Sequence, residues 1–229
     1  MDDNETCIYF VFQSAFKMNT ETKPQDTLRD IKQMMESSSR FISLSGLSGI
    51  AAGLCALVGA YFAHKILFTQ SFGRSVYNAD YTSVSSFLND ALFQIALITF
   101  IAALLTAFTF TYIRSKKTRT PIWGSTAKRL MFNVCLPMVV GGIFIISIIQ
   151  NGCYGLVAPG CLLFYGLALV NGSKFTLGEI KYLGYVQIIL GLINLYFIGY
   201  GIYFWAIGFG IMHILYGIIM WFKYERAKP

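Results

Sequence analysis

A helix that crosses a hydrocarbon core of about 30 Å needs roughly 20 consecutive apolar residues. Six stretches of this chain meet that demand, at 41–63, 91–113, 130–149, 152–170, 177–198 and 201–222. A soluble fold of 229 residues has no interior large enough to hide them, with 55% of the chain hydrophobic and 13% charged where soluble proteins carry about 25% charge. The sequence therefore predicts an all-α polytopic membrane protein, a bundle of six transmembrane helices. Residues 150–151 and 199–200 leave room only for tight turns. The third and fourth spans, and the fifth and sixth, are expected to form antiparallel hairpins.

Lysine and arginine are sorted by side. Of the 18 cationic residues, all but Lys65 and Arg74 fall on one side of the predicted spans, and once the acids are subtracted that side holds the whole formal charge of +7. The positive-inside rule makes it the cytoplasmic side and puts both chain ends there. The densest group is the loop 114–129, with Arg114, Lys116, Lys117, Arg119, Lys128 and Arg129 and no acid. It reads as a marker of topology rather than a nucleic-acid patch. Tyr200, Tyr203 and Trp205 are expected at the outer interface, and Trp221, Phe222 and Tyr224 at the inner one.

The opening MDDNET is acidic, and Ile8 to Phe12 is too short for the apolar core of a signal peptide, so the first span is expected to serve as its own targeting signal. Residues 1–25 read as a disordered tail, with 1–17 either part of that tail or an upstream extension before the more ordinary start at Met18. Leu28, Ile31, Met34 and Met35 lie at helical spacing, and Thr27 stands where a cap is expected. Residues 26–39 thus read as an amphipathic helix on the cytoplasmic surface, able to dock on lipid or on a soluble partner. Residues 64–90 form the sizeable external segment, and 226–229 a short tail.

Ionisable and amide side chains inside a span are costly, so each is a candidate for function. Glu179 follows Thr176 by three residues, the spacing of a capping box, and is assigned to capping the fifth span. Gln187 and Asn194 on the fifth span and His213 on the sixth form the candidate polar site within the membrane. Folding the last hairpin about Tyr200 puts Gln187 and His213 at equal depth and predicts a hydrogen bond between them. The stripe Gly184, Gln187, Gly191, Asn194 is then expected to face the stripe Ala206, Gly210, His213, Gly217, since small residues with interspersed polar ones mark helix contacts in lipid. Ser45, Gly49 and Gly53, with Ser48, Ala52, Ala56 and Ala60, offer another close-approach surface, for an internal helix or a second copy. Pro137 and Pro159 are expected to kink or unwind the third and fourth spans.

Five cysteines and two histidines show no CxxC pair and no zinc spacing, and HExxH, GxSxG, a P-loop and a dinucleotide fingerprint are absent. No catalytic residue, metal or cofactor is assigned. The segments RFISLSGLSGIAAG and APGCLLFYGLALVNGSKFTLGEIKYLGYVQIILGLINLYFIGYGIYFWAIGFGIMHILYGIIMWFKYE resemble a family of small bacterial multi-span membrane proteins, over residues 26–225. Some relatives in that family carry the label of carotenoid oxygenases, which hold iron with four histidines; two cannot do so. The resemblance implies a bacterial inner membrane. The expected function is non-catalytic, structural, sensory or regulatory, with the lipid bilayer and either a cytoplasmic protein or a second copy as partners. The alternative is a small-solute permease or channel working at the last hairpin.

Overall fold

In lipid a backbone must satisfy its own N–H and C=O groups, so each apolar run folds as a helix. The computed structural model describes residues 45–70, 91–118 and 123–226, without the side chains of 69, 70 and 118. Six helices follow in order: α1 (Gly46–Gln70), α2 (Ala91–Thr118), α3 (Ser125–Gln150), α4 (Val157–Gly172), α5 (Ile180–Tyr196) and α6 (Gly201–Tyr224). Short 3₁₀ turns, Tyr154–Leu156 and Ser173–Phe175, lead into and out of α4. The described residues contain no strand. The chain is an all-α membrane bundle: α1, α2, α3, α4 with the turns on either side of it, and α6 are long and apolar enough to cross a membrane. At 17 residues α5 is the short one, about 25 Å. The tail 1–25, the amphipathic stretch 26–39, Arg119, residues 71–90 and residues 227–229 lie outside the described residues.

Several boundaries differ from the sequence reading. Helix α1 continues to Gln70, so His64, expected in the external segment, is helical. Helix α3 begins at Ser125, within the basic loop. Neither proline breaks a helix. Pro137 sits inside an unbroken α3, and Pro159 occupies the first turn of α4, where a missing N–H costs no intrahelical bond. The interruption falls instead in α6, where Ala206–Met212 forms a π-helical turn between Gly201–Trp205 and His213–Tyr224. The two tight turns each place a glycine in the left-handed region, Gly152 at φ 73° and Gly199 at φ 100°, where other residues are strained.

Packing divides the bundle into two groups of three. Helix α1 packs chiefly on α2 and α6, while α4 packs chiefly on α3 and α5. Close approach depends on glycine. A methyl group built on Gly46 would stand 2.5 Å from the Gly217 carbonyl of α6, and one on Gly53 2.7 Å from that of Gly210. In the other group, a methyl on Gly184 would meet the Gly166 carbonyl at 2.8 Å and one on Gly191 the Pro159 carbonyl at 3.1 Å. Asn171 on α4 adds a tie to α3, donating to the Asn133 carbonyl at 2.8 Å.

The predicted face-to-face packing of the last two glycine stripes is therefore not what forms. The α5 stripe is spent on α4 and the glycines of the α6 stripe on α1, because each small-residue face accepts a whole helix and excludes a third. The α1 surface has its partners within the chain. What remains between the groups is a seam, lined by α4 and α5 on one side and the first half of α6 on the other.

Ion pairs tie the end of the bundle that carries most of the cations. Glu225 Oε1 accepts from Arg114 Nη1 at 2.5 Å, from Ser45 Oγ at 3.0 Å and from the Gly46 amide at 2.6 Å. One carboxylate thus joins α2 and α6 to the start of α1, where it also meets the positive end of the helix dipole. At the opposite end, His64 Nε2 and Tyr203 OH lie 3.2 Å apart.

Candidate functional site

The fully buried polar side chains Gln187 and Asn194 both project from α5 into the seam, where each meets a glycine of α6. A methyl built on Gly208 would lie 2.6 Å from Gln187 Oε1, and one on Gly201 3.9 Å from Asn194 Oδ1. The hairpin is thus folded about residues 197–198, with 187 level with 208 and 194 level with 201, rather than about Tyr200. His213 lies more than a turn deeper. Helical side chains lean toward the N-terminus, and the imidazole reaches back to the same level.

Gln187 and His213 meet as the sequence predicts, and the Gly208 carbonyl is the acceptor they share. Gln187 Nε2 donates to the Gly208 carbonyl at 2.7 Å, and His213 Nδ1 lies 3.0 Å from that same oxygen. A carbonyl only accepts, so His213 Nδ1 carries the hydrogen. The 3.5 Å between Gln187 Nε2 and His213 Nδ1 is then a spacing of two donors that share one acceptor. The π turn explains why the carbonyl is within reach, since its wider ring shifts the α-helical pattern of acceptors, a distortion common at functional sites.

Tyr165 on α4 is the member that sequence reasoning missed. Its hydroxyl lies 2.7 Å from His213 Nε2 and, with Nδ1 protonated, donates to it. Phe209 packs on both rings, with centroids 5.1 Å from Tyr165 and 6.0 Å from His213, and Trp205 lies 4.7 Å from Phe209. Tyrosine is frequent in this chain and carries no periodic signal of its own, which is why only the rarer His, Gln and Asn stood out.

The donor atoms of Gln187, Asn194, His213 and Tyr165 each have a protein acceptor. The acceptors are not all used. Gln187 Oε1, Asn194 Oδ1 and the hydroxyl of Tyr216 are buried with no protein partner. Asn194 Nδ2 donates to the Phe197 carbonyl at 3.2 Å, which fixes its oxygen on the other side. Such atoms cost about 1–3 kcal/mol each when left unmade.

Toward the basic end an apolar plug follows, Met220 packed with Leu177 and Ile180 and flanked by Leu169, Tyr216 and Tyr224. Beyond it Glu179 Oε1 accepts from Lys223 Nζ and, at 2.7 Å, from Tyr224 OH. Glu179 is the first residue bounding α5, but its side chain makes no capping bond. Its carboxylate faces α6, where Lys223 and Tyr224 supply two donors, so Glu179 forms a tie across the seam rather than the expected cap. Burial works to raise the Glu179 carboxyl, and the hydrogen bonds from Lys223 and Tyr224 outweigh it, leaving it below the usual carboxylate range.

Of the basic loop, Arg114 is drawn into the Glu225 tie, Lys116 lies 4.7 Å from the Tyr112 ring centre, and Lys117, Lys128 and Arg129 lie along the same end of the bundle. Among the described residues no three His, Cys, Asp or Glu side chains gather where they would share a metal ion. No family model, curated protein or solved structure matches the chain.

Proposed function

We propose that the chain is a multi-pass protein of the bacterial cytoplasmic membrane, with both ends in the cytoplasm, that passes a small uncharged solute along the seam between its two helix groups. The observation that carries this reading is the alignment of the unpaired polar atoms. Asn194 Oδ1 and Gln187 Oε1 are buried and unpaired along α5, the unpaired Tyr216 OH belongs to a side chain packed on the plug below them, and the stretch from Asn194 to Glu179 covers about 22 Å. Polar groups buried at membrane depth mark solute pathways, and helices interrupted at the midplane accompany them in transporters. The plug at Met220 and the Glu179 tie describe a closed state. The sorting of cations and the resemblance to small bacterial membrane proteins support the location and orientation.

A second reading keeps the protein as a sensory or regulatory one. It is favoured by Arg114, which links the basic loop to Glu225 and thence to both terminal helices, so that a cytoplasmic protein holding the loop would act on α1 and α6 together. Liposome swelling in gradients of uncharged solutes of increasing size separates the two. Passage faster than through protein-free liposomes supports the first, and none for any solute transfers the seam to the second. Reporter fusions at each end check the orientation, with both expected on the cytoplasmic side.

A further inference from the structure

We infer that the seam selects small neutral molecules richer in hydrogen-bond donors than in acceptors, of the kind of water, ammonia and urea, held at the unpaired oxygens of Gln187 and Asn194. This rests on the passage reading above and names the chemistry of its solute. The donors around the two oxygens are spent inside the protein: Gln187 Nε2 and His213 Nδ1 on the Gly208 carbonyl, Tyr165 OH on His213 Nε2, and Asn194 Nδ2 on the Phe197 carbonyl. The amide orientations follow from those bonds, because turning either amide would set two acceptor oxygens against each other. What is left toward the seam is acceptor capacity at Gln187 Oε1 and Asn194 Oδ1.

A solute that carries only acceptors finds nothing to bind there and pays its own desolvation unreturned. An anion meets oxygens alone. A cation would meet oxygens but no carboxylate, since the nearest acid along the seam, Glu179, is held at its end by Lys223 and Tyr224. Size is limited by the opposite wall. Gly208 and Gly201 face the two oxygens, and even one methyl on Gly208 would stand 2.6 Å from Gln187 Oε1. The oxygens are seven residues apart on one helix, about 10 Å, so each serves one small molecule and the two act in file.

The test reconstitutes the full chain in liposomes and compares swelling with urea, four N–H donors and one acceptor, against trimethylamine N-oxide, which has no donor. Urea is expected to enter at least about tenfold faster, the factor that one hydrogen bond of ordinary strength supplies before the larger size of the oxide is counted. Gln187→Leu removes one of the two acceptors and should narrow the difference, and Gln187→Leu combined with Asn194→Leu should narrow it further, by about the tenfold factor in all. Gly201→Ala, which removes no hydrogen-bonding group and sets a methyl 2.9 Å from the Ala158 Cβ, should slow urea without changing its preference over the oxide. A readout independent of flux is the ¹³C resonance of the Gln187 side-chain carbonyl, expected to move on addition of urea below denaturing concentration and not on addition of the oxide. Equal entry of urea and the oxide overturns the selectivity while leaving a passage. A urea-specific resonance change without flux overturns the passage and upholds the donor site. Neither flux nor a resonance change overturns both.

Discussion

Glu225 stands at the end of the last helix, where charge reads as a solvated terminus, yet one of its oxygens serves three donors from two other helices. Its side chain and that of Arg114 are 18% and 13% exposed, so removing the charge weakens an ion pair that is largely shielded from water. Glu225→Gln is expected to cost about 2 kcal/mol, read as a lower melting temperature in nanodiscs. Arg114→Gln in the same background should cost little more, because the two residues share one interaction. Glu179 predicts a pH effect of definite sign. Its carboxyl is held below the unfolded value of about 4.3, so its contribution is complete above that pH and is lost as pH falls through the lower folded value. The melting temperature should drop on acidification below about pH 4, and Glu179→Gln should flatten that part of the profile. An unchanged profile would show that the tie to Lys223 and Tyr224 carries no weight in solution. At this scale the rare polar residues within apolar runs were legible in the sequence. Their partners were not, because Gly208 contributes a carbonyl that every residue type possesses, and Tyr165 is one tyrosine among 14.

The helices themselves were legible because the bilayer imposes both their length and their type. Their pairing was not. A stripe of small residues says that a helix comes close, without saying which, and α5 and α6 each chose a partner other than the other. The π turn was equally hidden: AIGFGIM has an ordinary composition for a membrane helix, whereas Pro137, the conspicuous breaker, interrupts nothing. The assignment of helix partners can be checked by a pair of matched substitutions. Gly53→Ala places its methyl 2.7 Å from the Gly210 carbonyl, backbone that cannot rotate away, and is expected to destabilise by about 1–3 kcal/mol. Gly142→Ala on α3 meets nothing within 4 Å and should stabilise by about 0.5–1 kcal/mol through helix propensity alone. Thermal unfolding in the same lipid compares them. Equal effects would mean that α1 and α6 do not pack as described.

At the scale of the whole molecule, the two groups of three helices are each cemented by glycine contacts, while the surface between them carries amides, an imidazole and tyrosine hydroxyls. Burying unpaired acceptors there costs stability that an apolar seam of the same shape would keep. Such a cost is tolerated where the surfaces must separate, since bundles that alternate between states move as rigid groups about a fixed site. Ala158 on α4 and Gly201 on α6 offer a way to test for such a separation. A methyl on Gly201 would lie 2.9 Å from the Ala158 Cβ, slightly closer than the roughly 3.5–4.5 Å between the β-carbons of a disulfide. A small outward shift of α6 therefore permits a bridge. With Cys153 and Cys161 replaced by serine, Ala158→Cys together with Gly201→Cys should cross-link under mild oxidation and stop solute entry. Reduction should restore it to the rate of the unoxidised double variant. Cross-linking that leaves the rate unchanged would show that the groups do not part at this end of the seam, and that the passage, if it opens, does so without moving the first turn of α6.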